Sequence, residues 1–203
     1  MKSINLKNTA QIFYNQSIYL GLFFGSIFLV SSCSDPATPK VVNEDELITT
    51  IITILSNSTD SIKLESKDFD GDGPQQPVIT VSGTLKTNTV YSGTVSFLNE
   101  LVNPAENISE QVFDEAVDHQ LFYQAPESFG SFVYNDKDSN DKPLGLIFTF
   151  TTGSTVTSGN LIVTLRHGPN KSALGVSDGS IVNAGGATDA QVIYPIEIQA
   201  KNL

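Results

Sequence analysis

Between Leu47 and Gln199 the chain consists largely of short stretches of β-branched and aromatic residues, broken repeatedly by Gly, Asn, Asp, Ser and Pro. Such stretches suit a pleated surface with one buried side. Strands are predicted over Leu47–Leu55, around Ile62 and Leu64, and over Val78–Leu85, Thr89–Leu98 and Gln120–Gln124. Further strands are predicted over Gly130–Tyr134, Leu144–Thr151, Asn160–Arg166 and Gln191–Gln199. Val78–Leu85 is expected to pair with Thr89–Leu98 across Lys86-Thr87-Asn88, and a hairpin is expected between Gly153-Ser154 and Ser158-Gly159. One segment breaks the β rhythm. Asn107–Asp118 has apolar residues at 108, 112, 113, 116 and 117, the spacing of a helical face, with Ser109 placed to cap it. Many short strands and one short helix predict an all-β fold: a single Ig-like or jelly-roll β-sandwich with one short helical insertion. There is no Trp and only one Cys, so the Cys–Trp–Cys hallmark of true immunoglobulin domains is absent.

The single cysteine has another reading. Lys2 and Lys7 precede a thirteen-residue apolar run from Ile18 to Val30, and the first 32 residues contain no acid. That is the pattern of a secretory signal, and the run is too short to span a bilayer core of about 20 helical residues. Val30-Ser31-Ser32-Cys33 resembles the lipobox of bacterial lipoproteins. The resemblance implies a thioether-linked diacylglyceryl group on Cys33, cleavage before it, and acylation (palmitate) of the new amine. Multiple acyl chains anchor a protein firmly to a membrane. The expected division is a signal peptide over 1–32, a lipidated Cys33 with a Pro-rich tether to residue 45, and a folded domain over 46–203. The expected location is the outer membrane, on its periplasmic face or at the cell surface. An ordinary secretion signal with an incidental cysteine is the alternative.

The chain carries 22 acidic and 11 basic side chains, a formal net charge of −11. Nucleic-acid binding needs a basic footprint and is therefore not expected. With Cys33 taken by lipid, no thiol remains for disulfides or catalysis, so chemistry in the mature domain must rest on carboxylates, hydroxyls and two histidines.

Asp68-Phe69-Asp70-Gly71-Asp72-Gly73 places carboxylates at alternating positions, the hard-oxygen arrangement that Ca²⁺ prefers. It resembles the first half of an EF-hand or dockerin loop but departs from it at Pro74 and Ile79, and the same residues also make an acidic β-turn. A second acidic loop, Asp136–Asp141, reads as a hairpin connection. His119 and His167 would make a Zn²⁺ site only if they converged with a carboxylate. Otherwise His119 is a boundary residue at the helix end, and His167 hydrogen-bonds within its loop. Gly175-Val176-Ser177-Asp178-Gly179 matches a nucleophile-elbow string, but no strand–turn–helix context surrounds it, and we treat it as a chance match.

Several segments are similar to those of a group of small lipoproteins of Bacteroidota. They are Asp68–Gly73 with Pro77–Leu85, Tyr91–Glu100, Asp118-His119-Gln120, Leu165–Lys171 and Asn183–Gly186. That group is often named for a type 1 periplasmic-binding fold and associated with TonB-dependent receptors. The named fold is a larger two-lobed α/β structure with parallel sheets, and the strand pattern here argues for a sandwich instead. The resemblance implies an accessory role at an uptake receptor. The leading expectation is therefore a membrane-anchored, non-enzymatic lipoprotein that binds a partner protein or a small molecule of unknown identity. The alternatives are a calcium-dependent carbohydrate or adhesion module and a metal-capture lipoprotein using the two histidines.

Overall fold

The structure is a computed structural model that describes residues 47–70 and 73–201. The signal segment, Cys33, the tether and Asp72 lie outside the described residues. No helix among the described residues is long and apolar enough to cross a membrane.

Two sheets face one another, as the alternating pattern predicts. The larger is built from β1 (Thr50–Ser56), β2 (Ser61–Lys67), β3 (Val78–Val81), β5 (Val90–Asn99), β8 (Gly130–Tyr134) and β9 (Ile147–Thr152) in the order β3-β2-β1-β5-β9-β8. The two-residue strand β6 (Glu106–Asn107) also pairs with β5. The smaller sheet runs β4 (Leu85–Lys86), β11 (Ala187–Gln199), β10 (Thr157–His167) and β7 (His119–Gln124). All pairings are antiparallel except β4 with β11.

The inner faces meet in one apolar core. Leu55, Leu64, Tyr91, Phe148 and Phe150 come from the larger sheet, and Leu121, Leu161, Leu165, Tyr194 and Ile198 from the smaller. The period-2 alternation of these strands is what turns every second residue inward. Phe132 stacks on Phe150 at 4.3 Å, and Tyr123 packs on Phe148 at 4.1 Å. Gly93 lies opposite Phe148, and a Cβ there would sit 2.2 Å from the ring, so only glycine leaves the space Phe148 fills. The Tyr194 hydroxyl crosses the core and donates to the Ile51 carbonyl at 2.9 Å.

Two pairings read from the sequence are overturned. Val78–Val81 pairs with β2, and β5 pairs with β1 and β9, so Lys86–Asn88 is not a hairpin turn. The chain instead leaves the larger sheet, lays β4 beside β11 in the smaller one, and returns. Gly153 to Ser158 likewise joins β9 to β10 across the two sheets rather than closing a hairpin. Sequence proximity favours hairpins, but burial of both strands' apolar faces decides which sheet each joins.

The helix is also shorter than predicted. α1 spans Ile108–Asp114 and a 3-10 turn follows over Ala116–Asp118. Ile108, Val112 and Ala116 face the core, whereas Phe113 and Val117 are exposed. Ser109 does not cap the helix. Its hydroxyl accepts from the Phe97 N–H of β5 at 2.8 Å, and Asn107 stands at the N-cap without a side-chain cap bond.

Candidate metal centre

The site forms where three strands of the smaller sheet end. His119 opens β7 and His167 closes β10, and the two are direct partners in the antiparallel register. Opposed residues share a face, so their side chains meet. They continue the inner rows Tyr123–Leu121 and Val163–Leu165 one step past the apolar core, where the face reaches the rim of the sandwich. Their rings stand edge to face at 81°, with centroids 4.8 Å apart.

The third member comes from β11 by way of an irregularity. Leu165 pairs with Ala190, but Arg166 pairs with Thr188, leaving Asp189 as an extra residue in a β-bulge. A bulge bends its strand and re-aims a side chain. Asp189 Oδ2 lies 3.4 Å from His119 Nε2 and 3.8 Å from His167 Nδ1. One ligating atom from each of the three residues falls within 4.8 Å of the others, the one such group of His, Cys, Asp or Glu among the described residues. The His119 side chain is 7% exposed, Asp189 17% and His167 51%, so the cluster runs from the buried end of β7 to open solvent.

The loop joining His167 to β11 is held down at its base. The Gly168 N–H donates to the Asp118 carbonyl and the Asn170 N–H to the Ala184 carbonyl, both at 2.7 Å. Gly186 has φ +70°, and a Cβ there would lie 2.2 Å from the His167 carbonyl, so glycine permits the approach that brings β11 beside His167. The loop then folds over Phe122, which packs with Val176 and Ala184 in a second small apolar cluster.

The protonation chemistry is constrained by the partners. His119 Nδ1 is 3.1 Å from the Glu115 carbonyl, which can only accept. Nδ1 therefore carries a hydrogen, and in the neutral ring Nε2 presents a lone pair. That lone pair faces the Asp189 carboxylate, another acceptor. A proton shared between them, as in an imidazolium–carboxylate pair, or a metal ion bound by both would reconcile the two acceptors. Burial pushes the His119 pKa down, but the Asp189 carboxylate and the Glu115 carbonyl outweigh it, and the net direction is up.

The donor set suits a divalent transition metal. Imidazole nitrogen and carboxylate oxygen bind Zn²⁺ at about 2.0–2.2 Å, which separates neighbouring ligands in a tetrahedral shell by about 3.4 Å. Asp189 stands 3.4 and 3.8 Å from the two imidazoles, close to that spacing, and the three ligand atoms lie within 4.8 Å of one another, so closure onto a metal would draw the exposed His167 inward. The Nδ1 contact to Glu115 is the kind of bond that would orient a ligating imidazole and fix its tautomer. Three protein ligands would leave at least one coordination position for water or another donor.

The other residues singled out in the sequence behave differently. Asp70 turns Oδ2 onto the Gln75 N–H at 3.1 Å and its carbonyl onto the Gly73 N–H at 2.9 Å, as an acidic turn does. Asp68 Oδ1 is shielded from water and finds no hydrogen-bond partner among the described residues. In the second acidic loop two of the three carboxylates are bound to backbone within the protein, and Asp141 is exposed. Asp136 accepts from the N–H groups of Gly145 and Ile147, and Asp138 from those of Asn140 and Lys142. Ser177 donates to the Lys171 carbonyl at 2.6 Å inside its loop, as a turn serine does.

Asp189 was not among the residues the sequence singled out. A glycine pair just before a strand hints at a close backbone approach, but nothing in the sequence marks the bulge that singles out Asp189. No protein-family model, curated protein or solved structure matches this chain.

Proposed function

We propose that the protein is a lipid-anchored β-sandwich that captures a divalent transition-metal ion, Zn²⁺ in the first instance, at His119, His167 and Asp189. The observation that carries this reading is the convergence of one ligating atom each from His119, His167 and Asp189 at the rim of the sandwich, with His119 Nδ1 set on the Glu115 carbonyl so that Nε2 points to the cluster. Anchoring through Cys33 and an accessory role beside a TonB-dependent receptor are the setting proposed for it, from the lipobox and the lipoprotein resemblance. A half-exposed His167 suits uptake from solvent and transfer to a second protein more than permanent sequestration.

Titration of the metal-free chain with Zn²⁺ against a chromophoric chelator tests the proposal. One equivalent is expected to bind, releasing protons and weakening as pH falls, because a ligating imidazole must be neutral. His167→Ala and Asp189→Asn are each expected to weaken binding at least tenfold. Wild-type affinity in both variants would overturn the assignment. Mass spectrometry of the membrane-extracted protein tests the anchor separately, by the acylated peptide that begins at Cys33.

Calcium at Asp68, Asp70 and Asp72 is a second proposal, favoured by the shielded and unpartnered Asp68 Oδ1. It requires a rise in Tm at millimolar Ca²⁺ that Asp68→Asn abolishes.

A further inference from the structure

The outer face of the larger sheet differs from the rest of the surface. Strands β1, β5, β9 and β8 are consecutive in that sheet and contain no Asp, Glu, Lys or Arg. Charged residues make up 16% of the whole chain, and folded surfaces commonly carry about 25–35%. Charge resumes on the neighbouring β2 with Lys63, Glu65 and Lys67.

The exposed residues form rows across the strands. Ile54, Thr94 and Ile147 are successive register partners, as are Ser92, Thr149 and Val133. Ile54 is 38% exposed, Ile147 47%, Val133 57% and Val90 59%. β-Branched side chains are stiff at χ1, so a face made of them loses little rotamer entropy when it is covered.

We infer that this face is where two copies of the chain pair, larger sheet against larger sheet. Charge selects the occupant. At a net charge of −11 each copy repels another over most of its surface, and the uncharged face is where two copies approach without setting carboxylates against each other. An isologous contact also needs a surface complementary to itself, which a field of hydroxyls and methyl groups is. Area sets the strength. Four strands at about 4.8 Å spacing and about 27 Å of β5 make a patch of roughly 500 Å² per copy. That is about 1,000 Å² in all, the lower end of specific interfaces. The pairing is weak and fills when copies are concentrated.

The test uses the chain from residue 34 onward, which keeps the compact unit Val41–Leu203 and contains no cysteine. Sedimentation from about 10 μM to about 1 mM should show monomer passing into dimer. Raising NaCl should strengthen association, because salt screens the repulsion between the acidic surfaces. Thr94→Lys and Val133→Lys should each weaken it at least tenfold with unchanged Tm. Thr94 lies near the expected two-fold axis, so Thr94→Cys should form a disulfide-linked dimer under oxidation, whereas Ser158→Cys on the smaller sheet should not. A monomer at 1 mM in high salt would overturn the inference, as would equal cross-linking at both cysteines. Association that salt weakens would also overturn it, by showing a contact made of charges.

Discussion

Two charged clusters flank the same short stretch of chain and are built on opposite principles. Lys171 is buried, and its ammonium donates to Asp138 Oδ2 at 2.9 Å, to the Ala116 carbonyl at 2.6 Å and to the Pro143 carbonyl at 2.9 Å. Three donors meet three acceptors, and the remaining Asp138 oxygen accepts two backbone N–H groups. Nothing is left over, so this cluster is a pin joining the 3-10 turn, the acidic loop and the loop after β10. The His119 cluster, at the other end of the same turn, instead gathers two imidazoles and a carboxylate at a solvent-accessible rim. A satisfied network specifies structure, whereas an incomplete one at a solvent-accessible rim marks where a ligand completes it.

If that contrast holds, the largest loss comes from breaking the pin. Lys171→Met leaves the Asp138 carboxylate buried without its counter-charge and takes the donor from Asp138 Oδ2 and two carbonyls, and should cost about 3–5 kcal/mol. At about 2–4 °C per kcal/mol for a domain of this size, Tm should fall by roughly 10 °C, measured by differential scanning calorimetry. A loss under about 1 kcal/mol would mean the network relaxes around the gap.

Acid should act on the same pin. Burial pushes the Asp138 pKa up, but Lys171 and the backbone donors outweigh it and hold the carboxyl below its ordinary value. A group depressed in the folded state contributes stability that is fully present above its unfolded pKa, about 3.9 for Asp. That contribution is lost as pH falls through the folded value. Urea unfolding from pH 7 down to pH 3 should show the loss in wild type and less of it in Asp138→Asn.

Zinc should separate the clusters. Zn²⁺ at a hundred times its dissociation constant should stabilise wild type by about 2.7 kcal/mol. The increment should vanish in Asp189→Asn and persist in Asp138→Asn. An increment that survives in Asp189→Asn would place the ion elsewhere.

The smallest effect should be His167→Ala without metal. His167 is half exposed, and exposed ion pairs contribute about 0–1 kcal/mol, so Tm should move by no more than about 3 °C. A larger drop would make His167 part of the frame rather than an open ligand position.

The element types were legible because each depends on local spacing. The alternation of Ile62 and Leu64 with Lys63 and Glu65 reads directly as β2, and of the five apolar positions that marked the helical insertion, Ile108, Val112 and Ala116 are buried while Phe113 and Val117 are exposed. Strand partners were less legible. Val78–Val81 lies closer in sequence to β5 than to β2, yet it pairs with β2 because the chain crosses to the smaller sheet at Leu85. Two of the three proposed metal ligands were visible as the only histidines of the chain. Asp189 was one acid among 22, with no spacing that tied it to either.

By itself the sequence determined the class of fold, the acidic surface and the absence of any cysteine beyond Cys33. These follow from residue type and from periods of two or 3.6 residues. Only the tertiary structure decided that His119 and His167, 48 positions apart, stand opposite each other, and that a single extra residue in β11 brings Asp189 to both. Register is a property of paired strands, and a one-residue slip in it changes every neighbour while leaving the sequence pattern of each strand untouched.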